Sequence, residues 1–409
     1  MEFKIMLNVI TIEEAIVILK NNFTEIGKAE TVYIDNAVGR IAAEDIESGE
    51  DVPSFSRSTM DGYALFAADT YGSGESMPAM LDIAGEILMG EKAGIPLEQG
   101  KCIRISTGGM LPKGADAVIP VENTDEDCGM CLIYKSVSPF ENVTGKGDDI
   151  KCGERIIKKG TALSPAHIGL LASVGKSAVS VVKRPAVGII STGNEIIGID
   201  EELTDGKIRE VNSHLLSALC RSYGCEVRFY GTVKDEYDKI LSAVKTALNE
   251  NDIVLVSGGS SAGTKDMTVK VIEAVGEVFA HGLAMKPGKP TIIGRADGKA
   301  IFGLPGHPGA CYFVTEIIVK KLIDILLGKK EKHNAKTYRT AENISSNHGR
   351  EEYVCVKTDG DTAVPLYGKS GLMSIICESD GYIRIERNCE GLKKGEAVEV
   401  FPSGGNYEA

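Results

Sequence analysis

"DIVLVSGGSSAGTKDMTVKVIEAVG", residues 252–276, joins a short apolar run to a helical pattern through a glycine-rich turn. Ile253 to Val256 form a continuous apolar run, as expected of a strand buried on both faces in a parallel sheet. Met267, Val271, Ile272 and Val275 recur at helical spacing on one face. Between them, Gly258 and Gly263 stand at the spacing of a Walker A phosphate loop, but the pair that should follow is reversed, with Thr264 before Lys265. Asp266 comes next, in what the pattern predicts to be the positive first turn of the helix.

The same rhythm repeats on either side. "AVGIIS" (186–191) reads as a buried strand ending in "TGNE" (192–195), and "REVNSHLLSALCRSYG" (209–224) as a helix closed by Gly224. "EVRFYGTV" (226–233) is a strand and "DEYDKILSAVKTALNEN" (235–251) a helix. "AIFGLPGHPG" (300–309) and "ACYFVTEIIVKKLIDILLG" (310–328) supply a last strand and helix. Alternation of this kind predicts an α/β domain with a doubly wound, mostly parallel sheet, whose ligands bind at the carboxyl ends of its strands.

The rest of the chain is built differently. Thr11 and Glu14 form a capping-box signature ahead of an apolar face of Ile12, Ala15, Ile16 and Leu19. From about Ser54 to Tyr134, short alternating runs divided by Gly, Pro and Asn predict a β-rich domain. Ser164, Pro165 and Gly175 mark the cap, first position and end of another helix. "EEYVCVKT", "YIRIER" and "EAVEVFP" alternate near the end and predict a small β-barrel or sandwich. The expected division is a discontinuous linking domain (1–50 plus 145–180), a β-rich insert (51–144), the α/β domain (181–328) and a C-terminal β domain (329–409).

The 409 residues are 43% hydrophobic and 25% charged, the composition of a soluble globular protein of several domains. A net charge of −13 argues against a general nucleic-acid or anionic-membrane partner, because phosphate backbones need a basic face. No basic region precedes an apolar core at the N-terminus, and no apolar run is long enough for a bilayer, so a cytoplasmic location is expected. Ten scattered cysteines fit reduced thiols. Cys128 and Cys131 have the CxxC spacing but stand in what reads as a hairpin turn, without a second ligand pair for zinc.

Three strand-end loops converge if the sheet is as read: Ser191, Thr192, Gly193 and Glu195; then Gly258, Gly259 and Ser260 with Asp266; then Pro305, Gly306 and Pro308. Glycine lets backbone N–H groups approach phosphate oxygens, and a helix N-terminus adds positive charge. Taken singly, Asp266 and Glu195 read as helix-dipole carboxylates. Side by side among phosphate-type loops, they predict a hard cation between carboxylate and phosphate, for which magnesium is suited. Lys286 and Lys289, around Pro287 and Gly288, are read as anion-binding rather than as a solvated surface turn.

"STMDGYAL", "IRISTGGMLPKGADAVIPVE", "GDDIKCGE", "STGNE", "GKIREVN", "SGGSSAGTKD", "MKPGKP" and "GLPGHP" occur in an order that resembles the molybdopterin molybdenumtransferases, the MoeA family that includes the E domain of gephyrin. The resemblance covers essentially the whole chain and implies insertion of molybdate into adenylylated molybdopterin, with magnesium assistance and release of AMP. It also implies a homodimer of four-domain subunits, each active cleft shared between the α/β domain of one subunit and the DGY-bearing domain of the other. The family's acidic site residues fall on Asp61, Asp149, Glu195, Asp235 and Asp266, with Glu195 and Asp266 as the expected metal ligands. Thr107 matches its STG threonine, Lys286 and Lys289 its lysines, Pro305 and Pro308 its LPGxP loop and, loosely, Ser374 a C-terminal serine. The implied partners are adenylylated molybdopterin, molybdate and the molybdopterin adenylyltransferase. Gly282, His307 and Gly309 depart from the pattern. Adenylylation of molybdopterin and a scaffold role are the alternative readings.

Overall fold

The computed structural model describes residues 9–258, 262–329, 334–368 and 373–403, with side chains from 267 onward in the second segment. The chain divides into two compact units: Met1–Glu30, Gly39–Ile41 and Val182–Ala409 form one, Thr31–Val38 and Ala42–Val181 the other.

The first unit is organised by a six-stranded sheet in the order Glu226–Val233, Ala186–Thr192, Ile253–Gly258, Lys299–Leu304, Ile292–Ala296, Glu277–His281. The first four strands are parallel, and the last two turn back antiparallel at one edge. The chain leaves Ala186–Thr192 to build the strand on one side of it and then crosses to build Ile253–Gly258 on the other. That reversal makes the carboxyl ends of these two strands the switch point where such sheets hold ligands.

Both faces of the sheet are covered, which is why its central strands are apolar throughout. One face takes helices Tyr237–Glu250 and Ala262–Val275 through Ile240, Val244, Val271 and Ile272. The other takes Asn212–Ser222 and the 308–326 helix, with Leu216, Leu322 and Ile323 fully buried. That last helix starts with Pro308 in its first turn and loosens into a π turn over Thr315–Val319.

The capping box at Thr11 forms, with Thr11 N–H donating to Glu14 Oε2 at 2.8 Å and Glu14 N–H to Thr11 Oγ1 at 3.1 Å. Helix Ile12–Asn22, expected in the linking domain of residues 1–50 plus 145–180, falls by contact in the unit that holds the α/β sheet. Ile12, Ala15 and Leu19 join the core that holds Leu322, Ile323 and Leu326, because that surface of the last helix is the apolar one available to them. Helix Ala262–Val275 also starts five residues before the expected Met267. Only Gly263 weakens the added turn, at about 1 kcal/mol relative to alanine. Asp266 is therefore the fifth helical residue, past the first turn.

The C-terminal domain is a closed barrel. Glu351–Asp359, Thr362–Pro365, Lys336–Thr340, Ala397–Pro402 and Gly381–Ile385 pair in sequence, and the last returns to the first. Met285–Lys286 adds alongside Glu351–Asp359 in parallel.

In the second unit, Ala37, Ala42, Ile46, Ile157, Leu163, Leu171 and Val181 form a core under helix Pro165–Ser173, which Ser164 caps. A six-stranded sheet forms the insert, in the order Ala117–Pro120, Gly62–Leu65, Lys101–Ile105, Ala79–Ile87, Met130–Ile133, Thr124–Asp127. Cys128 lies at φ 47° in the hairpin turn between its last two strands, while Cys131 is buried in a strand. All ten cysteines are free thiols. Among the described residues no helix is long and apolar enough to cross a membrane.

Candidate functional site

At the switch point, Thr192 stands directly opposite Gly258, and Ser191 opposite Ser257, which is in turn opposite Leu304. The approach of the first two is closed to any other residue: a Cβ on Gly258 would lie 2.2 Å from both the carbonyl and the hydroxyl oxygen of Thr192, at φ +145°. Thr192 is 1% exposed, and its Oγ1 has no hydrogen-bond partner among the described residues. The carboxyl ends of these two strands thus lie side by side, with Thr192 paired to Gly258 and Gly193 next in the chain. Gly259, Ser260 and the side chain of Asp266 lie outside the described residues.

The third loop is tied to the second by a residue assigned no role from sequence. Asn212 Nδ2 donates to Ser257 Oγ at 2.7 Å and to the Gly306 carbonyl at 2.9 Å. The Gly306 carbonyl accepts only, so it fixes the orientation of the amide. Pro305 is buried beside this contact, and Pro308 opens the following helix. His307 occupies the cap position, exposed and without a side-chain capping bond.

Ser191, expected among the substrate-binding residues, is committed elsewhere. Its hydroxyl donates to Glu210 Oε1 at 2.8 Å, which also accepts from Ser213 N–H at 2.8 Å, while Ser213 Oγ donates to Glu210 Oε2. Glu210 is 5% exposed, and these donors satisfy both of its buried carboxylate oxygens. The only sequence signal for Glu210 and Asn212 was their place in "GKIREVN", at the start of a helix.

Glu195 and Asp235 follow adjacent strands and approach each other. Asp235 N–H donates to Asn194 Oδ1 at 3.4 Å, and Lys207 Nζ donates to the Asn194 carbonyl at 2.7 Å. Burial first, and then the charge of Glu195, push the Asp235 carboxyl above its ordinary value. Asp235 Oδ1 is buried with no hydrogen-bond partner among the described residues. Two like charges and an unpaired oxygen suit a hard cation, which takes oxygen ligands and relieves the repulsion. Glu195 is thus a charge that acts on Asp235, while Asp266, expected beside Glu195, has its side chain outside the described residues. No cluster of three metal-type ligands occurs among the described residues.

In the second unit, Asp61 and Thr107 form one constellation: Asp61 Oδ1 accepts from Thr107 N–H at 2.7 Å. The glycine of DGY is required by sheet packing, since a Cβ on Gly62 would lie 1.9 Å from the Ile119 carbonyl oxygen. Both Asp61 and Thr107 are exposed. Asp149 is also exposed, its backbone N–H bonded to the Val52 carbonyl.

The lysine turn is built against the C-terminal barrel. Lys286 Nζ donates to Glu352 Oε1 at 2.6 Å, and Lys289 is exposed. Ser374 is exposed on helix Met373–Glu378.

An α/β domain with two acidic residues after adjacent parallel strands, in one unit with a closed barrel and in one chain with a β insert, defines a class of multidomain α/β protein. Residues 188–324 match the model described as a probable molybdopterin binding domain. Residues 10–175 match the MoeA N-terminal region (domain I and II), and 337–403 the MoeA C-terminal region (domain IV). A putative molybdopterin biosynthesis protein of Methanocaldococcus jannaschii is 37% identical over 91% of this chain and 92% of its own. A Staphylococcus epidermidis protein named molybdopterin molybdenumtransferase is 31% identical over 96% of this chain and 95% of its own. The crystal structure of a molybdopterin biosynthesis MoeA protein from Pyrococcus horikoshii superposes with a TM-score of 0.87 at 39% identity, covering 96% of this chain and 99% of that one. The chain belongs to the MoeA family.

Proposed function

We propose that the chain is a magnesium-dependent molybdopterin molybdenumtransferase, inserting molybdate into adenylylated molybdopterin with release of AMP. The observation that carries this reading is the buried, unpartnered Asp235 Oδ1 under the charge of Glu195, after adjacent strands of a domain that matches the probable molybdopterin binding model. It is supported by relatives named for that activity along nearly the whole chain.

Thr192, Gly193 and Gly258 border the phosphate groups of the substrate, and Asn212 holds the second and third loops in register. Glu195 and Asp235, with Asp266 as a further candidate, would hold magnesium. The bound cation would polarise the phosphoryl centre and offset its developing charge. Asp61 and Thr107, supplied by a partner subunit, border the dithiolene and molybdate, and a carboxylate among Asp61, Asp149 and Asp235 orients the attacking oxygen. Water supplies that oxygen: it bonds to a phosphorus of the pyrophosphate link as the P–O–P bond breaks, which frees AMP and leaves molybdopterin with its phosphate. Two thiol groups then replace one oxide of molybdate, which leaves as water with both thiol protons, and molybdenum stays hexavalent.

The test is AMP release from adenylylated molybdopterin, with molybdate and magnesium each added or withheld. The reading expects release only when both are present. AMP release that ignores molybdate, or adenylylation of molybdopterin by ATP, overturns it.

A further inference from the structure

The C-terminal barrel reaches an expected anion-binding residue directly. Met285 and Lys286 pair in parallel with Glu351 and Glu352, and Glu351 N–H donates to the Ala284 carbonyl at 2.8 Å. The lysine's backbone is therefore held by the barrel, and so is its tip. Lys286 Nζ donates to Glu352 Oε1 at 2.6 Å, and the other carboxylate oxygen accepts from Ser346 Oγ at 2.9 Å. Glu352 is 11% exposed and fixed at both oxygens, while Lys286 is 46% exposed. A lysine on a flexible four-carbon stem loses much rotamer freedom when it meets a ligand, and a rigid carboxylate partner removes part of that loss beforehand. The ammonium keeps further N–H donors after serving one carboxylate oxygen.

We propose that Glu352 is a positioning residue for oxyanion binding: it holds the Lys286 ammonium where its remaining donors meet an anionic oxygen of the substrates. The proposal rests on the reading of Lys286 as an anion-binding residue. The shared chemistry is that of a multiply charged oxyanion, either molybdate or the phosphate of adenylylated molybdopterin.

The experiment uses the full chain carrying Glu352→Ala, Glu352→Gln, Lys286→Ala or Lys286→Ala with Glu352→Ala. KM for molybdate is measured at saturating adenylylated molybdopterin, then KM for adenylylated molybdopterin at saturating molybdate, with molybdate binding followed by calorimetry. Glu352→Ala is expected to raise one KM about tenfold with kcat within about twofold. Glu352→Gln, which keeps an acceptor for the lysine, recovers part of the loss. Glu352→Ala adds nothing once Lys286 is alanine. The KM that moves identifies the oxyanion. If Lys286→Ala raises a KM and Glu352→Ala does not, the positioning role falls and the lysine's role stands. If Glu352→Ala costs the same with or without Lys286, its effect is structural and the proposal is overturned. If Lys286→Ala changes neither KM, the anion reading of the lysine falls and this inference with it.

Discussion

Asp235 carries a cost that its neighbours impose. Burial and the charge of Glu195 raise its carboxyl pKa above the ordinary 3.8, so the folded protein holds this proton where the unfolded chain has lost it. Stability from this group is full below the unfolded value and declines as pH rises through the folded one. Asp235→Asn is therefore expected to match the parent protein near pH 4 and exceed it in denaturant stability at about pH 7, while losing activity. Magnesium should raise the Tm of the parent more than that of Asp235→Asn; an equal shift would remove Asp235 from the cation site. Gly258 is a second residue whose constraint is local and steep. Gly258→Ala drives a Cβ into Thr192, and the expected destabilisation is at least about 1–3 kcal/mol by chemical unfolding. No such penalty is expected at Gly49, which has no positive φ and where a Cβ meets nothing within 4 Å.

Among the elements, the 308–326 helix has the widest reach. Its first turn follows the Gly306 carbonyl that Asn212 holds, and Phe313 packs on Tyr353 and Tyr382 of the barrel at centroid distances of 5.9 and 5.5 Å. Phe313→Ala is expected to cost about 3–5 kcal/mol, read by denaturant unfolding, because the cavity opens between packed rings. Asn212→Ala removes both bonds that align the second and third loops. An expected fall in kcat/KM of up to about a hundredfold, with little change in helix content by circular dichroism, would show that it acts by placing loops. The helices and strands bearing these residues were legible from periodicity and caps. The extra turn at Ala262–Asp266 was not, because a glycine-rich run ahead of a helix has the composition of a loop until packing extends the helix.

For the whole molecule, the proposed function takes the protein to be a homodimer whose sites draw on both subunits. That predicts complementation: Asp61→Ala and Glu195→Ala, each inactive alone, should regain roughly a quarter of parental activity when unfolded and refolded together, because mixed dimers contain one intact site. No recovery in a verified mixed dimer would place both residues in a site within one subunit. The chain's own pattern determined the α/β class, the β insert, the capped helices and the three strand-end loops, because these rest on period, turn chemistry and glycine at fixed offsets. It also brought out Thr192, Glu195, Asp235 and Gly258 through motif order. Tertiary structure alone decided that Ser191 turns its hydroxyl to Glu210, that Asn212 ties two loops together, that the charge of Glu195 acts on Asp235, and that Glu352 holds Lys286. Each of these pairs residues between 19 and 94 positions apart, or across two domains, through strand register and burial, and neither quantity is written in local spacing.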